Sequence, residues 1–136
     1  MIIKNMKKAF LTIILLAISF ISYSQDTIKY EEKWSNGKLA TVGYKTKDKI
    51  NCGQWTWYDN NGNVSSKGEY NIKGYKIGVW QWFYKNGDLK KQELYSGDGE
   101  NKAYYENKQL YYLIKVADGK KQGNYIEYYK NGNIKM

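Results

Sequence analysis

The chain is 136 residues long and carries 22 basic residues, all lysine, against 13 acidic ones, for a formal net charge of +9. This length accommodates one modest domain. Histidine is absent and cysteine occurs once. The composition therefore excludes histidine-dependent catalysis, Cys/His zinc sites and disulfide scaffolds, and we expect no cofactor.

The N-terminal residues have the pattern of a signal peptide. Lys4, Lys7 and Lys8 form a positive segment ahead of an apolar run from Ala9 to Ile21. A transmembrane helix needs ~20 apolar residues, so this run is too short to span a bilayer comfortably. We predict a signal peptide over residues 1–24, which is cleaved from the rest of the chain.

The predicted cleavage site lies after Ser24. Ser22 and Ser24 are small residues of the kind that a signal peptidase accepts, and the mature domain would comprise residues 25–136. The alternative is an uncleaved N-terminal anchor. We therefore expect an exported protein, periplasmic or extracellular, with a net charge of +6 once three lysines are removed. Cys52 would have no intramolecular partner there and is expected to be a half-buried strand residue.

The lysines do not have the pattern of a nucleic-acid-binding surface. They are interleaved with acidic residues, as in Lys29, Glu31, Glu32 and Lys33. The chain also lacks arginine, whose guanidinium reads guanine and clamps phosphates. Dispersed charge and predicted export both argue against the electrostatic footprint of such binding, so we expect no nucleic-acid partner.

Beyond residue 24 the chain is an internal repeat. One turn motif occurs five times, with its asparagines 25, 25, 21 and 24 residues apart, and a glycine precedes four of them by eight residues. Such a period is typical of an array whose units bury their apolar faces against neighbours. The asparagines are Asn36, Asn61, Asn86, Asn107 and Asn131, and the glycines are Gly53, Gly78, Gly99 and Gly123.

Alternating apolar and polar residues flank each turn motif and predict β-strands. Trp55 and Trp57, for example, lie on one face of a strand ahead of an Asn-Gly dipeptide. Asn-Gly favours a tight type I′ turn, because both residues tolerate positive φ. We predict an all-β fold of tandem β-hairpins, with about nine strands and no helix after residue 24. The predicted turn residues are Asn36, Gly37, Asn61, Gly62, Asn86, Gly87, Asn131 and Gly132.

One copy of the turn departs from the pattern. Lys108 stands where the other copies have glycine, and this copy follows the shortest spacing. We expect a longer or irregular turn there, with Gly97 and Gly99 as compensation. Residues 72–77 and 117–122 are predicted to form return turns between hairpins.

The recurring pattern Gly-x-Trp-x-Trp-aromatic-x-x-Asn-Gly resembles the MORN repeat, specifically its bacterial MORN-2 variant, over about residues 30–136. The resemblance implies an elongated, curved antiparallel sheet with aromatic side chains stacked between successive hairpins. Arrays of this kind serve in protein contacts, membrane association and oligomerisation. Some similar bacterial chains carry the label of YwqK-type antitoxins, which implies neutralisation of a toxin by binding.

The aromatic side chains of the repeats are the candidate binding residues. Tryptophan and tyrosine dominate the hot spots of binding surfaces, and the same rings suit a glycan. They must also supply most of the buried area in a chain with few other large apolar residues, so core packing is the alternative for each. The candidates are Trp55, Trp57, Trp80, Trp82, Tyr84 and Tyr125.

Metal binding and catalysis find little support in the sequence. The segment from Asp59 resembles a calcium loop in its oxygen ligands, but Val64 and Tyr70 stand where an EF-hand needs glycine and glutamate. The nearest acidic cluster, around Asp98 and Glu100, has no deep pocket in a narrow row of hairpins. We therefore expect neither a metal site nor an enzyme.

These features predict an exported, non-catalytic interaction or scaffold module of the cell envelope or the exterior. A protein is the expected partner. The alternatives are a glycan or cell-wall binder that uses exposed rings, and an antitoxin or immunity-like protein. Open sheet edges also allow self-association.

Overall fold

The computed structural model describes residues 27–135, and the predicted signal peptide lies outside them. These residues form ten β-strands and no helix, so the all-β prediction is confirmed with one strand more than expected. A helix able to cross a membrane is accordingly not found in residues 27–135. The strands are β1 (Thr27–Lys33), β2 (Leu39–Thr46), β3 (Asn51–Tyr58), β4 (Val64–Tyr70), β5 (Lys76–Phe83), β6 (Leu89–Leu94), β7 (Gly99–Tyr104), β8 (Leu110–Ala117), β9 (Lys120–Tyr128) and β10 (Ile134–Lys135).

The strands form one open antiparallel sheet, in which each strand pairs with its neighbours in sequence. We number the hairpins 1 to 5 in chain order: β1–β2, β3–β4, β5–β6, β7–β8 and β9–β10. Their turns all lie on one side of the sheet, at the ends of the strands. The return turns between hairpins lie at the opposite ends of the strands. Within residues 27–135, the main contacts of each hairpin are with the adjacent hairpins, which is the architecture expected of tandem repeats.

The cross-strand register gives the sheet two different faces. A row of paired residues along one face contains Trp57, Ser66, Trp82, Lys91 and Ala103. The adjacent row, which points to the other side because successive residues alternate, contains Thr56, Lys67, Gln81, Gln92 and Lys102. We call these sides the aromatic face and the polar face.

Two indole rings pack directly on glycine in the aromatic face. The ring of Trp55 lies on Gly43 and that of Trp80 lies on Gly68, and a Cβ atom on either glycine would overlap the ring. Both tryptophans are only 3% exposed. Trp80 Nε1 donates a hydrogen bond of 3.1 Å to the backbone oxygen of Glu69, so its polar atom is satisfied as well. The core of this single-layer sheet is thus made by side chains that lie flat on its own backbone.

The turns of the hairpins are not of the predicted type I′. Gly37 has a φ of 81°, but Asn36 is not among the residues with positive φ, and a type I′ turn requires positive φ at both positions. Instead the Gly37 N–H donates to the Trp34 oxygen at 2.9 Å, and the Trp34 N–H donates to the Lys38 oxygen. This is the three-residue loop in which a β-turn is followed by a residue in the left-handed conformation, and its hydrogen bonds recur in every hairpin. That residue is glycine in four of the five hairpins.

The asparagine of the turn acts through its side chain. Asn36 Oδ1 accepts the Lys38 N–H at 3.0 Å, and Asn86 Oδ1 accepts the Asp88 N–H at the same distance. Asparagine commonly stabilises turns by bonding the backbone two residues further along. The repeated Asn-Gly dipeptide therefore has a mechanical role, although not the one predicted.

The expectation of a longer or irregular turn at Lys108 is also wrong. Lys108 has a φ of 68° and its N–H donates to the Tyr105 oxygen at 2.9 Å, so the loop has the same form as the others. Its Nζ lies 3.0 Å from Asp88 Oδ1 in the preceding hairpin. The lysine therefore occupies a glycine-type conformation without lengthening the turn.

We predict that Gly68→Ala destabilises the protein by about 2 kcal/mol, because the added methyl group overlaps the Trp80 indole in a packed site. Urea unfolding followed by tryptophan emission measures the change. Ser66→Ala, two residues earlier on the same face, is the control and should change stability by less than about 0.5 kcal/mol. Equal effects of the two substitutions would contradict the packing of indole on glycine.

A second prediction concerns the left-handed turn position. Gly87→Ala should cost about 1 kcal/mol, because φ at this position is 86° and an added Cβ is strained there. Lys108→Ala should change stability by less than about 0.5 kcal/mol, since Lys108 already carries a Cβ in that conformation. Thermal unfolding of both variants measures the difference, and a larger loss in Lys108→Ala would be the contrary result.

Candidate functional site

A continuous ladder of aromatic rings covers the aromatic face of hairpins 1 to 3. Successive ring centroids lie 5.6 Å apart for Trp55 and Trp57, 5.4 Å for Trp57 and Trp80, and 6.2 Å for Trp80 and Trp82. These separations are in the range of favourable aromatic pairs. The ladder consists of Tyr30, Trp55, Trp57, Tyr70, Trp80, Trp82 and Tyr95.

The four predicted tryptophans differ in their accessibility. Trp55 and Trp80 are buried and hold the ladder to the sheet, which leaves almost no ring surface for a ligand. Trp57 and Trp82 are half-buried and present part of each ring to solvent. The difference follows from the cross-strand neighbours, because the buried rings lie on glycines while Trp57 and Trp82 both pair with Ser66.

The two predicted tyrosines lie outside the ladder. Tyr84 begins the turn of hairpin 3, and its hydroxyl donates a 2.8 Å hydrogen bond to the Tyr104 oxygen of hairpin 4. This bond joins successive hairpins. Tyr125 is 53% exposed and packs with Tyr112, their centroids 5.4 Å apart. The six predicted residues thus do not form one continuous surface.

The ladder is interrupted in hairpin 4. Its first strand carries Asn101 and Ala103 at the positions that correspond to the two tryptophans of hairpins 2 and 3. Both residues are buried, and Asn101 Oδ1 accepts the Leu94 N–H at 2.6 Å. Beyond this interruption a second cluster of rings begins, formed by Tyr105, Tyr111, Tyr112 and Tyr125.

Lysine ammonium groups lie over the rings of the ladder, a feature the sequence analysis missed. The Nζ atom of Lys45 is 3.5 Å from the Tyr30 centroid, that of Lys76 is 4.1 Å from Trp80, and that of Lys91 is 4.8 Å from Trp82. Cations are attracted to the negative face of an aromatic ring. The aromatic face therefore combines ring surface with positive charge.

The Asp59 carboxylate has a structural role. The Asp59 carboxylate accepts hydrogen bonds from the Asn63 and Asn61 N–H groups, and these bonds lower its pKa. The calcium-like segment is therefore a capped turn. In residues 27–135 there is no cluster of three or more side chains suited to hold a metal ion.

Cys52 is more buried than expected. It is 2% exposed, and burial raises the pKa of its thiol, which keeps it protonated and unreactive at neutral pH. It lies beside an open groove of about 480 Å³ that Tyr44 and Ile72 also line.

The tandem hairpins and their repeated aromatic positions define a class of repeat proteins. The sequence pattern of the MORN repeat variant matches residues 51–71, 76–96, 97–116 and 121–136, and the chain belongs to this family. The four matches follow hairpins 2 to 5, one repeat to each hairpin. No curated protein matches the chain. MORN repeats are generally protein- or membrane-binding modules, so the fold is one suited to interaction.

We predict that acrylamide quenches mainly Trp34, Trp57 and Trp82, since Trp55 and Trp80 are shielded. Replacing the three accessible tryptophans by phenylalanine should lower the quenching constant several-fold while the far-UV circular dichroism spectrum stays unchanged. Fluorescence titration measures the constant. An unchanged constant in the folded triple variant would show that the two remaining indoles are accessible.

Proposed function

We propose that this protein is an exported, non-catalytic interaction module of the cell envelope or the exterior, and that its partner is a protein. The partner contacts the aromatic face along Trp57 and Trp82. The observation that carries the proposal is the ladder itself, which presents half-buried indoles on a rigid base of buried ones. Rigid, partly exposed aromatic side chains are the commonest hot spots of protein interfaces.

The chemistry of the aromatic face supports a partner with acidic groups. Lys76 and Lys91 lie over the rings, and the Lys91 Nζ is paired with Glu93 at 2.8 Å. Lys76 lies near the Tyr95 hydroxyl and is the less neutralised of the two cations. Complementary charge of this kind accelerates encounter and selects among partners.

Export and the lack of catalysis are parts of the same proposal. The N-terminal lysines and apolar run support a signal peptide, and cell fractionation of the full chain tests this expectation. The chain has no histidine, and burial keeps its one thiol protonated. These features support binding rather than chemistry as the activity.

Affinity capture from a native envelope extract tests the proposal. The bait is the protein purified from cells that express the full chain, and the variant is Trp57→Ala/Trp82→Ala. The matched control is Thr56→Ala/Gln81→Ala, which alters the adjacent row on the polar face. We expect one protein at constant stoichiometry, lost with the tryptophan variant and retained with the control.

Other outcomes would contradict the proposal. Retention of wall polysaccharide without a protein would favour the glycan alternative. Equal capture by both variants would exclude the aromatic face. If this chain restores the growth of cells that express a toxin, the antitoxin alternative would be favoured. If the protein's mass in solution rises with its concentration and no partner is found, self-association would be favoured.

A further inference from the structure

A groove lined by tyrosines lies between hairpins 3 and 4, near the strand ends that carry the hairpin turns. We call it the tyrosine groove; its volume is about 390 Å³. This volume lies in the range of ligand-binding pockets. The residues that define it are Tyr84, Lys90, Lys91, Ala103, Tyr111 and Tyr112.

The equivalent groove between hairpins 1 and 2 has the same volume, but its side chains differ at two positions. There Trp34 and Trp57 both supply large rings, and the second strands contribute Ala40 and Ser65. In the tyrosine groove the tryptophan position holds Ala103, and Tyr111 stands at the position of Ser65. The side chain at the tryptophan position is therefore small, and the aromatic surface of the tyrosine groove comes from the tyrosines of its walls.

The walls of the tyrosine groove are fixed by contacts between hairpins. The Tyr84 hydroxyl donates to the Tyr104 oxygen at 2.8 Å, and the Tyr105 hydroxyl donates to the Tyr128 oxygen at 2.9 Å. The ring of Tyr111 packs against Tyr105, their centroids 5.0 Å apart. A site with walls already in place loses little conformational entropy when a ligand enters.

The charged groups of the groove are all positive. Lys90 and Lys91 line it, and no acidic side chain does. Lys91 is neutralised by Glu93, whereas Lys90 is exposed and its Nζ lies 5.4 Å from the Tyr84 centroid. A ligand that fits this groove therefore combines a flat apolar ring with negative charge beside it.

We infer that the tyrosine groove receives an aromatic side chain of the protein partner, one flanked by acidic residues. This inference rests on the proposed function and names the chemistry of the partner segment. A sugar fits less well, because two of the tyrosine hydroxyls are engaged by backbone oxygens and the remaining lining is mostly ring and hydrocarbon. An aromatic side chain uses that surface without needing hydrogen bonds.

The test uses peptides and the protein purified from cells that express the full chain. The probe is acetyl-Asp-Asp-Trp-Asp-Asp-amide. One comparison peptide has alanine in place of tryptophan, and the other has lysine in place of each aspartate. Nuclear magnetic resonance follows the amide signals of Ala103, Tyr111 and Tyr112. We expect saturable shifts with a dissociation constant of roughly 1 mM for the acidic tryptophan peptide alone.

Two variants and a matched control locate the site. Lys90→Gln should weaken binding about fivefold, and Tyr111→Ala should abolish saturation. Lys33→Gln changes the exposed lysine of the equivalent groove between hairpins 1 and 2 and should leave binding unchanged. Because Lys90 is exposed, its variant keeps the test valid if Tyr111→Ala fails to fold.

Three results would overturn the inference. The alanine peptide could bind equally well, no peptide could give saturable shifts, or the acidic sugar trigalacturonate could bind in place of the peptides. Insensitivity to Lys90→Gln would overturn it as well. Its failure is distinguishable from failure of the proposed function: a protein captured through Trp57 and Trp82, with no loss in Lys90→Gln or Tyr111→Ala, would refute the groove alone.

Discussion

The packing of two indoles on glycine is the interaction on which the structure depends. A single-layer sheet has no second layer to cover it, so its apolar side chains must lie on its own backbone. Gly43 and Gly68 provide the flat surfaces on which the rings of Trp55 and Trp80 lie. Once these rings are in place, Trp57 and Trp82 pack against them and retain part of their surface for contact with other molecules. The buried tryptophans of the ladder thus stabilise the sheet, and the tryptophans that alternate with them remain accessible.

Substitutions in hairpin 4 divide the aromatic face into two different surfaces. Hairpin 4 replaces both tryptophans by the buried residues Asn101 and Ala103, and the ladder stops there. The volume is restored from the opposite strand, where Tyr112 pairs with Ala103. The array therefore presents an indole surface on hairpins 1 to 3 and a tyrosine groove beside Lys90 further along. Membership of the MORN repeat variant family explains the shared scaffold, and these substitutions change the side chains that hairpin 4 presents.

The repeat, the strand order and the aromatic face could be predicted from the sequence. The repeat period and the alternation of apolar and polar residues can be read from it directly. Sequence reasoning misjudged the turns, since Asn-Gly occurs in both two- and three-residue loops, and Asn36 contributes its side chain rather than positive φ. It could not separate Trp55 from Trp57, because alternation places both on one face and only the register shows which lies on glycine. A signal was present, however. Gly43 and Gly68 are 25 residues apart, as are Trp55 and Trp80, which places the glycines in phase with the buried rings.

Hydrogen exchange of the indole N–H groups, measured by nuclear magnetic resonance, tests the central claim most directly. If Trp55 and Trp80 lie on glycine and donate to backbone oxygens, their indole protons exchange only with global unfolding. The Hα signals of Gly43 and Gly68 should also be shifted strongly upfield by the rings above them. Trp57 and Trp82 serve as internal references and should exchange much faster. Equal exchange of all four indoles, with ordinary glycine shifts, would contradict the account.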